Sequence, residues 1–530
     1  MTTIILIVSC VILTCVLAEK FSDKFGMPAL ILFMFVGMLF GSDGIMKIPF
    51  DNFSLAENVC SAALIFIMFY GGFNTKWGAA KEVAVQSVVL STLGVVVTAF
   101  ITMLLCWKIL GFGMAESFLI GSVLSSTDAA SVFAILRKYK LNLKDGTASI
   151  LEVESGSNDP ISYMLTLVAM NMILVGEAGN VLLTIVLQIV LGIGIGALLA
   201  WVCIFIMTKT RLISDGIDTI FVIAMVLCCY GVTNLLGGNA YLAVYLFGIL
   251  TGNSVIKNKH TLIPFFDGVT SLAQILIFFL IGLLTFPHQM PAIIPTALAI
   301  VVFLTIIARP IAVFLLMIPF KSSFQQKLLI SWAGLRGASS SVFAIMAVAG
   351  GISMKQDLFH IVFMVSLFSV SIQGTLLPFV AKKLHMIDDE ADVRKTFNDY
   401  QEESSLHLME VHVTEGHHWI NKKIKDVNIP AGSLALMIKR GTETIVPKGD
   451  TRIWENDTLI MSVPKYVPED ADMLEEKRIG RKDPWCNKCI SDLNLSENEL
   501  IVMIIRGAET IIPNGTTVMK ANDLVVTMNR

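Results

Sequence analysis

Charge is what this sequence has least of. Asp, Glu, Lys and Arg make up only 15% of its 530 residues, against about a quarter in an ordinary soluble domain. Net charge is −3 with no basic stripe, which excludes a nucleic-acid binder, and 55% apolar residues exclude a disordered chain. Mean hydropathy is +0.74, too high for a soluble enzyme. Cysteine is sparse, and Cys10, Cys15, Cys60, Cys106, Cys203, Cys228 and Cys229 lie in apolar runs as small polarizable fillers. Cys486 and Cys489 form a lone CxxC, and His417 and His418 are equally isolated. A closed zinc site needs four ligands, so no metal is assigned. The only glycine-rich run that imitates a phosphate loop, GIGIG at 192–196, sits inside an apolar stretch and reads as packing. A carbonyl-rich TVGYG-like filter is missing, which argues against a channel. No nucleophile–base pair stands at matching depth for an intramembrane protease, so the chain is not read as an enzyme.

Long apolar runs are present instead, alternating with short polar loops up to about residue 385. A helix needs about 20 apolar residues to cross the hydrocarbon core. That rule predicts thirteen spans, near 3–18, 28–46, 58–74, 84–107, 115–136, 149–174, 178–207, 217–236, 240–256, 262–285, 292–318, 324–350 and 357–381. The first lacks the basic start and small-residue cleavage site of a signal peptide and counts as a helix. Alternate loops hold sixteen Lys and Arg residues, from Lys20 to Lys383, while the other set holds only Lys47, Lys108 and Lys355. The positive-inside rule puts the sixteen in the cytoplasm, the N-terminus outside and the C-terminal tail inside. The expected organisation is a transmembrane domain at 1–385, a charged linker at 386–405 and two soluble modules at 406–466 and 467–530.

Ionisable groups at bilayer depth are expensive and usually functional. Asp128 lies mid-span in GSVLSSTDAASVF, among residues that let a helix unwind while re-satisfying its backbone. Unwound backbone at mid-membrane is where transporters hold cations; the alternative is a small-residue packing face with one buried acid. The next span opens LEVESGSNDPIS. Helical spacing puts Glu152, Ser155 and Asp159 on one face and pairs Glu154 with Asn158 on a neighbouring one. Ser155 and Asp159 can therefore point at one ion, and Pro160 loosens the helix beside them. The alternative is a structural ion pair without transport. Arg309 and Arg336 supply positive partners, and GLRGASSS around Arg336 mirrors the serine-rich break at Asp128 seven spans earlier. An odd offset is what inverted repeats with broken helices produce. Arg336 reads as a counter-charge for carbonyl ends, since it would repel a substrate cation.

SSTDAASVF, ESGSNDP and GLRGA, in this order on these spans, resemble the cation/proton antiporters, in particular the NhaP-type branch associated with potassium/proton exchange. The resemblance covers about 1–385. It implies a thirteen-helix elevator antiporter, normally a homodimer, with crossed broken helices at spans five and twelve. It implies that Asp159 is the essential cation- and proton-binding group and that Asn158 marks the electroneutral form. Thr127, Asp128 and Ser155 match positions that help ligate the ion, and Glu154 matches a structural acid paired with an arginine, here Arg309. The family often has an acid where Tyr70 stands, a departure that bears on selectivity and pH response.

The tail repeats itself. Residues 419–463 align without gaps on 485–529, with identical pairs that include Trp419/Trp485, Arg440/Arg506, Pro447/Pro513 and Asp457/Asp523. Each copy reads as a small α/β module with a strand–turn–strand around Arg-Gly. The copies resemble the TrkA-C domain of regulators of potassium conductance. That likeness implies a small ligand at a dimer interface, in some bacteria cyclic di-AMP. Arg440 and Arg506, near 437–448 and 503–514, mark the region to inspect, and the alternative is a dimerisation module with no ligand. The whole chain is thus read as an α-helical polytopic membrane protein with tandem cytosolic α/β regulatory modules. The expected function is exchange of cytosolic K⁺ or Na⁺ for external H⁺ in the cell membrane. A ligand-gated potassium channel and a sodium-selective antiporter are the alternatives. The partners are those ions, lipid and a second copy, with no cofactor beyond a regulatory nucleotide.

Overall fold

In hydrocarbon every backbone N–H and C=O must be paired within its own segment, so the apolar runs fold as helices. The structure, a computed structural model, describes residues 2–25, 28–75, 77–128, 131–132, 135–136, 139, 143–176, 181–209, 217–256, 258–354, 356–387, 406–414, 417–427, 429, 433–441, 443–464, 473–480, 483–493, 495, 499–506, 509–511, 513–521 and 523–529. Two compact units form, Met1–Gln401 and Glu402–Arg530. The linker expected at 386–405 lies, beyond 387, outside the described residues, as do the loop cations Arg137, Lys138 and Lys140.

In the first unit, seven helices among the described residues are long and apolar enough to cross a membrane. They are Phe53–Asn74, Val83–Lys108, Leu183–Lys209, Asp218–Leu235, Thr261–Leu283, Pro287–Leu316 and Leu358–Lys383. Shorter apolar helices are Ala29–Phe40, Met114–Val123, Ala240–Gly252 and Ala338–Ala349. The run expected at 28–46 is helical only to Phe40, because Gly41, Ser42, Asp43 and Gly44 turn the chain. Small residues let helices touch backbone to backbone. A methyl group at Gly72 would lie 2.3 Å from the Tyr245 carbonyl oxygen, and one at Gly248 would lie 2.4 Å from that of Phe69. The Phe53–Asn74 and Ala240–Gly252 helices therefore cross in direct contact. Phe69 packs on Phe73, Phe247 and Phe266 beside this crossing, with ring centroids 4.8 to 5.9 Å apart.

The second unit holds two antiparallel four-stranded sheets. Strands β1 (Leu406–His412), β2 (Leu434–Arg440), β3 (Glu443–Ile445) and β4 (Thr458–Pro464) pair in the order β1-β4-β2-β3. Strands β5 (Met473–Arg478), β6 (Glu499–Arg506), β7 (Glu509–Ile511) and β8 (Leu524–Asn529) repeat it as β5-β8-β6-β7. Even the bulges correspond, between Ala435 and Met437 and between Ile501 and Met503. Buried Ile438, Ile453 and Leu459 recur as Ile504, Met519 and Val525. Asn421 and Asn487 both take the left-handed conformation, with φ of 63° and 62°, which asparagine tolerates better than most residues. The α/β reading of the modules needs correction. Among their described residues the only helical turns are single 3₁₀ turns, Ile424–Asp426 and Ile490–Asp492.

Candidate functional site: a buried carboxylate at two crossed helix breaks

The site begins with two interruptions. The Met114–Val123 helix stops before Ser125, Ser126, Thr127 and Asp128, and helical backbone resumes at Ser131–Val132. The Phe324–Trp332 helix stops before 334–337 and restarts as Ala338–Ala349. Hydroxyl and glycine residues favour such breaks, and the freed groups then need partners. Each break supplies the other. The Asp128 amide donates to the Leu335 carbonyl at 2.8 Å, and Arg336 Nη1 donates to the Ser126 carbonyl at 2.6 Å. The Arg336 amide donates to Ser369 Oγ at 3.0 Å, within the π-helical turn Ser369–Gly374.

Asp128 caps the helical segment that follows it. Its Oδ1 accepts from the Ser131 amide at 3.4 Å and its Oδ2 from Ser131 Oγ at 2.5 Å. A methyl group at Gly337 would lie 1.9 Å from Asp128 Oδ2, so the carboxylate also rests against the start of Ala338–Ala349. One anion thus faces two helix N-termini, where backbone dipoles favour it.

Asp159 lies within the Thr147–Leu174 helix, which carries Pro160 in its interior. Proline removes the amide that would bond the carbonyl four residues back, that of Gly156. Asn239, the N-cap of Ala240–Gly252, donates Nδ2 to the Pro160 carbonyl at 2.8 Å. Asp159 is only 2% exposed, yet among the described residues its oxygens are hydrogen-bonded by hydroxyl groups: Ser126 donates to Oδ1 and Ser339 to Oδ2 at 2.6 Å. Next to it, Asn158 Nδ2 donates to Thr127 Oγ1 and reaches Glu154 Oε1 at 3.5 Å. Thr127 Oγ1 donates to Ser155 Oγ at 3.0 Å. Glu154 has a different partner: Arg309 Nη2 donates to its Oε2 at 2.8 Å, with both side chains almost fully buried. Arg309 follows the π-helical turn Leu304–Ala308, and Gly334 leaves it room, since a methyl group there would stand 2.9 Å from Nε.

The crossing therefore buries three carboxylates, Asp128, Glu154 and Asp159, and two guanidiniums, Arg309 and Arg336. Their formal sum is one negative charge. Glu154 is paired with Arg309 and Asp128 rests against helix ends, whereas Asp159, among the described residues, is hydrogen-bonded by the hydroxyls of Ser126 and Ser339 and by no arginine. Oxygen donors of this kind suit hard cations. Among the described residues no group of three or more His, Cys, Asp or Glu could hold a bound metal.

Of the expected site residues, the structure brings together Asp159, Asn158, Thr127 and Ser155, and it pairs Glu154 with Arg309. Asp128 bonds at the helix ends, not to Asp159, and Arg336 bonds to the Ser126 carbonyl. Sequence reasoning missed Ser126 and Ser339 as direct partners, and Asn239. Their signal was the serine pairing of SST with ASSS across the two breaks. Tyr70 donates its hydroxyl to Asp267 Oδ1 at 3.0 Å, so an acid from another helix meets the expected acidic position.

In the tail, Arg440 and Arg506 are engaged internally. Each makes a two-pronged pair, to Asp457 and Asp523, and each also donates to a backbone carbonyl, of Arg452 and Val518. The bond from Arg506 holds the Asp523 carboxyl below its ordinary range. Burial pushes the Asp457 carboxyl up, but the bond from Arg440, the Trp454 amide and the Arg440 charge together outweigh it and the net direction is down.

Residues 7–383 match the family described as the transmembrane sodium/hydrogen exchanger, and 408–466 and 474–526 match the TrkA-C domain. The K(+)/H(+) antiporter NhaP of Alkalimonas amylolytica is 35% identical over 384 residues, covering 72% of this chain and 67% of that protein. The K(+)/H(+) antiporter NhaP2 of Shewanella sp. (strain ANA-3) is 31% identical over 451 residues, covering 84% and 78%. Among solved structures, the sodium proton antiporter MjNhaP1 from Methanocaldococcus jannaschii at pH 8 superposes with a TM-score of 0.63. It covers 72% of this chain and 99% of that one at 22% identity, a likeness of fold.

Proposed function

Because this chain belongs to the sodium/hydrogen exchanger family and is a cation/proton antiporter of the membrane rather than an enzyme, we propose that it exchanges cytosolic K⁺ for an external proton at Asp159. One observation carries the reading: among the described residues, Asp159 is the buried carboxylate at the crossing that takes its hydrogen bonds from serine hydroxyls and pairs with no arginine. A hydroxyl rotates. Ser126 and Ser339 donate to the empty carboxylate, and turn their lone pairs inward when a cation sits there. The net single negative charge is balanced by one proton or one monovalent cation, so the exchange is one for one and electroneutral. Asn158, Thr127 and Ser155 orient the oxygens around the cation. Potassium is preferred over sodium as the substrate because both K(+)/H(+)-named relatives exceed 30% identity.

Transport proceeds by alternating access of an elevator type. Thirteen spans in inverted repeats are supported by helices at each expected position and by the reciprocal crossing of the two breaks. The loop cations favour an N-terminus outside and a cytoplasmic tail. On this reading 1–385 is the transport domain, 386–405 the linker, and 406–466 and 467–530 the regulatory modules. The transporter works as a homodimer, and the tail binds a small regulatory ligand, with cyclic di-AMP the first candidate. Arg440 and Arg506 brace their modules, which favours a ligand surface elsewhere on the hairpins.

The experiment is flux into liposomes holding purified protein and a trapped pH dye, with K⁺ and then Na⁺ added. Voltage-independent proton movement with K⁺ is expected, and Asp159→Asn should abolish it while the protein stays folded. Sustained cation-coupled flux in that variant removes Asp159 from the centre. Sodium preference would keep the mechanism and change the substrate.

A further inference from the structure

Asp267 is a second carboxylate inside a spanning helix that the exchange at Asp159 does not use. It lies in Lys259–Leu283, eight residues from the Lys259 end, or about 12 Å at the helical rise. Asp159 lies twelve residues from Thr147, or about 18 Å in from the same side. The Asp267 side chain is exposed, and a carboxylate within a spanning helix marks a functional position by default. Tyr70, 6% exposed on the Phe53–Asn74 helix, donates to its Oδ1 at 3.0 Å. Its Oδ2 makes no hydrogen bond among the described residues. One turn deeper on the same face, Thr270 Oγ1 is buried and has no hydrogen-bond partner among the described residues. A buried hydroxyl normally finds a partner, even if only its own helix carbonyl. The Phe53–Asn74 helix that carries Tyr70 also packs against Thr147–Leu174 and Ala338–Ala349, which hold Asp159 and Ser339.

Resting on the reading of Asp159 as the exchange group, we propose that Asp267, Tyr70 and Thr270 form a shallower cation-loading site on the cytoplasmic approach to it. Asp267 attracts the cation, Tyr70 holds the carboxylate in place, and Thr270 supplies an oxygen one turn further in. The acid that the family carries near Tyr70 is thus replaced by one from a neighbouring helix.

The test measures proton flux in liposomes containing the full chain, with K⁺ titrated on the cytoplasmic face. Asp267→Asn should raise the half-saturating K⁺ concentration about fivefold, the strength of one charge at contact distance in a watery cleft, with maximal rate kept. Tyr70→Phe and Thr270→Val, which preserve volume, should shift it the same way by less, and Asp267→Glu should recover part of the loss. Unchanged half-saturation in all three removals overturns the site. Lost maximal rate at unchanged half-saturation also overturns it, and points to a packing role, for instance against a second copy. Asp159→Asn, run in parallel, separates the two claims: flux surviving there defeats the exchange reading and leaves the Asp267 titration interpretable.

Discussion

Ser339 is the residue whose role most changes between sequence and structure. From the sequence it is one serine in a run of three; in the fold its hydroxyl closes on Asp159 Oδ2 at 2.6 Å. Replacing it with alanine leaves the carboxylate one ligand short. Ser339→Ala should therefore weaken cation affinity about tenfold, equivalent to ~1.4 kcal/mol, read as a shift in half-saturating K⁺ at unchanged protein yield. Gly337 is constrained by geometry alone. A methyl group there would collide with Asp128 Oδ2 and push the carboxylate off two helix N-termini, each worth up to about 2 kcal/mol in a buried setting. Gly337→Ala should lower the midpoint of thermal unfolding in detergent and abolish flux, whereas Asp128→Asn, which keeps an acceptor, should be milder on stability. Asp128, Asn158 and Asp159 were legible because a charge or amide in an apolar span demands an explanation. The serines were not, because a hydroxyl in a helix usually satisfies itself on its own backbone.

At the scale of elements, the Glu154–Arg309 pair ties the Thr147–Leu174 helix to Arg309–Leu316, 155 residues apart in the chain. Both partners are buried, so removing one strands the other charge at a cost of about 3–5 kcal/mol. Arg309→Met should fail to accumulate or should unfold early, while the double variant Arg309→Met with Glu154→Gln should regain much of the stability. Equal damage in single and double variants would mean that packing, not charge, holds the helices. Spacing foretold that Glu154 leaves the Asp159 face, since positions i and i+5 diverge on a helix. The π-helical turns at Leu304–Ala308 and Ser369–Gly374 had no such signature. They depend on what Arg309 and Ser369 must reach, and local propensity does not encode that.

At the scale of the whole molecule, the tail modules and the transport unit answer to different physics. In the tail, bonding to Arg506 holds the Asp523 carboxyl below its unfolded range. A depressed folded pKa contributes stability above the unfolded value, about 4, and loses it as pH falls through the folded one. Amide protection of β6 and β8 in the full chain, corrected for intrinsic exchange, should be flat from neutral pH to about 5 and fall below about 4. Asp523→Asn should lower protection throughout and flatten that acid dependence. Truncation after Leu384 should leave exchange intact and remove any response to a tail ligand. Unregulated flux in the intact chain, matching the truncated one, would deny the modules a regulatory role.

The sequence by itself determined the class of molecule: apolar length makes helices that lie in a membrane, charge counts divide the loops, and a repeat at an offset of 66 builds the same sheet twice. It also flagged Asp128, Glu154 and Asp159, because carboxylates in hydrocarbon are too costly to be incidental, and the family resemblance chose Asp159 among them. Only the tertiary structure decided which acid stays without a fixed counter-charge. Compensation depends on which helix ends and arginines come within a few ångströms, and the arginines lie 155 and 210 residues from their partners in the chain.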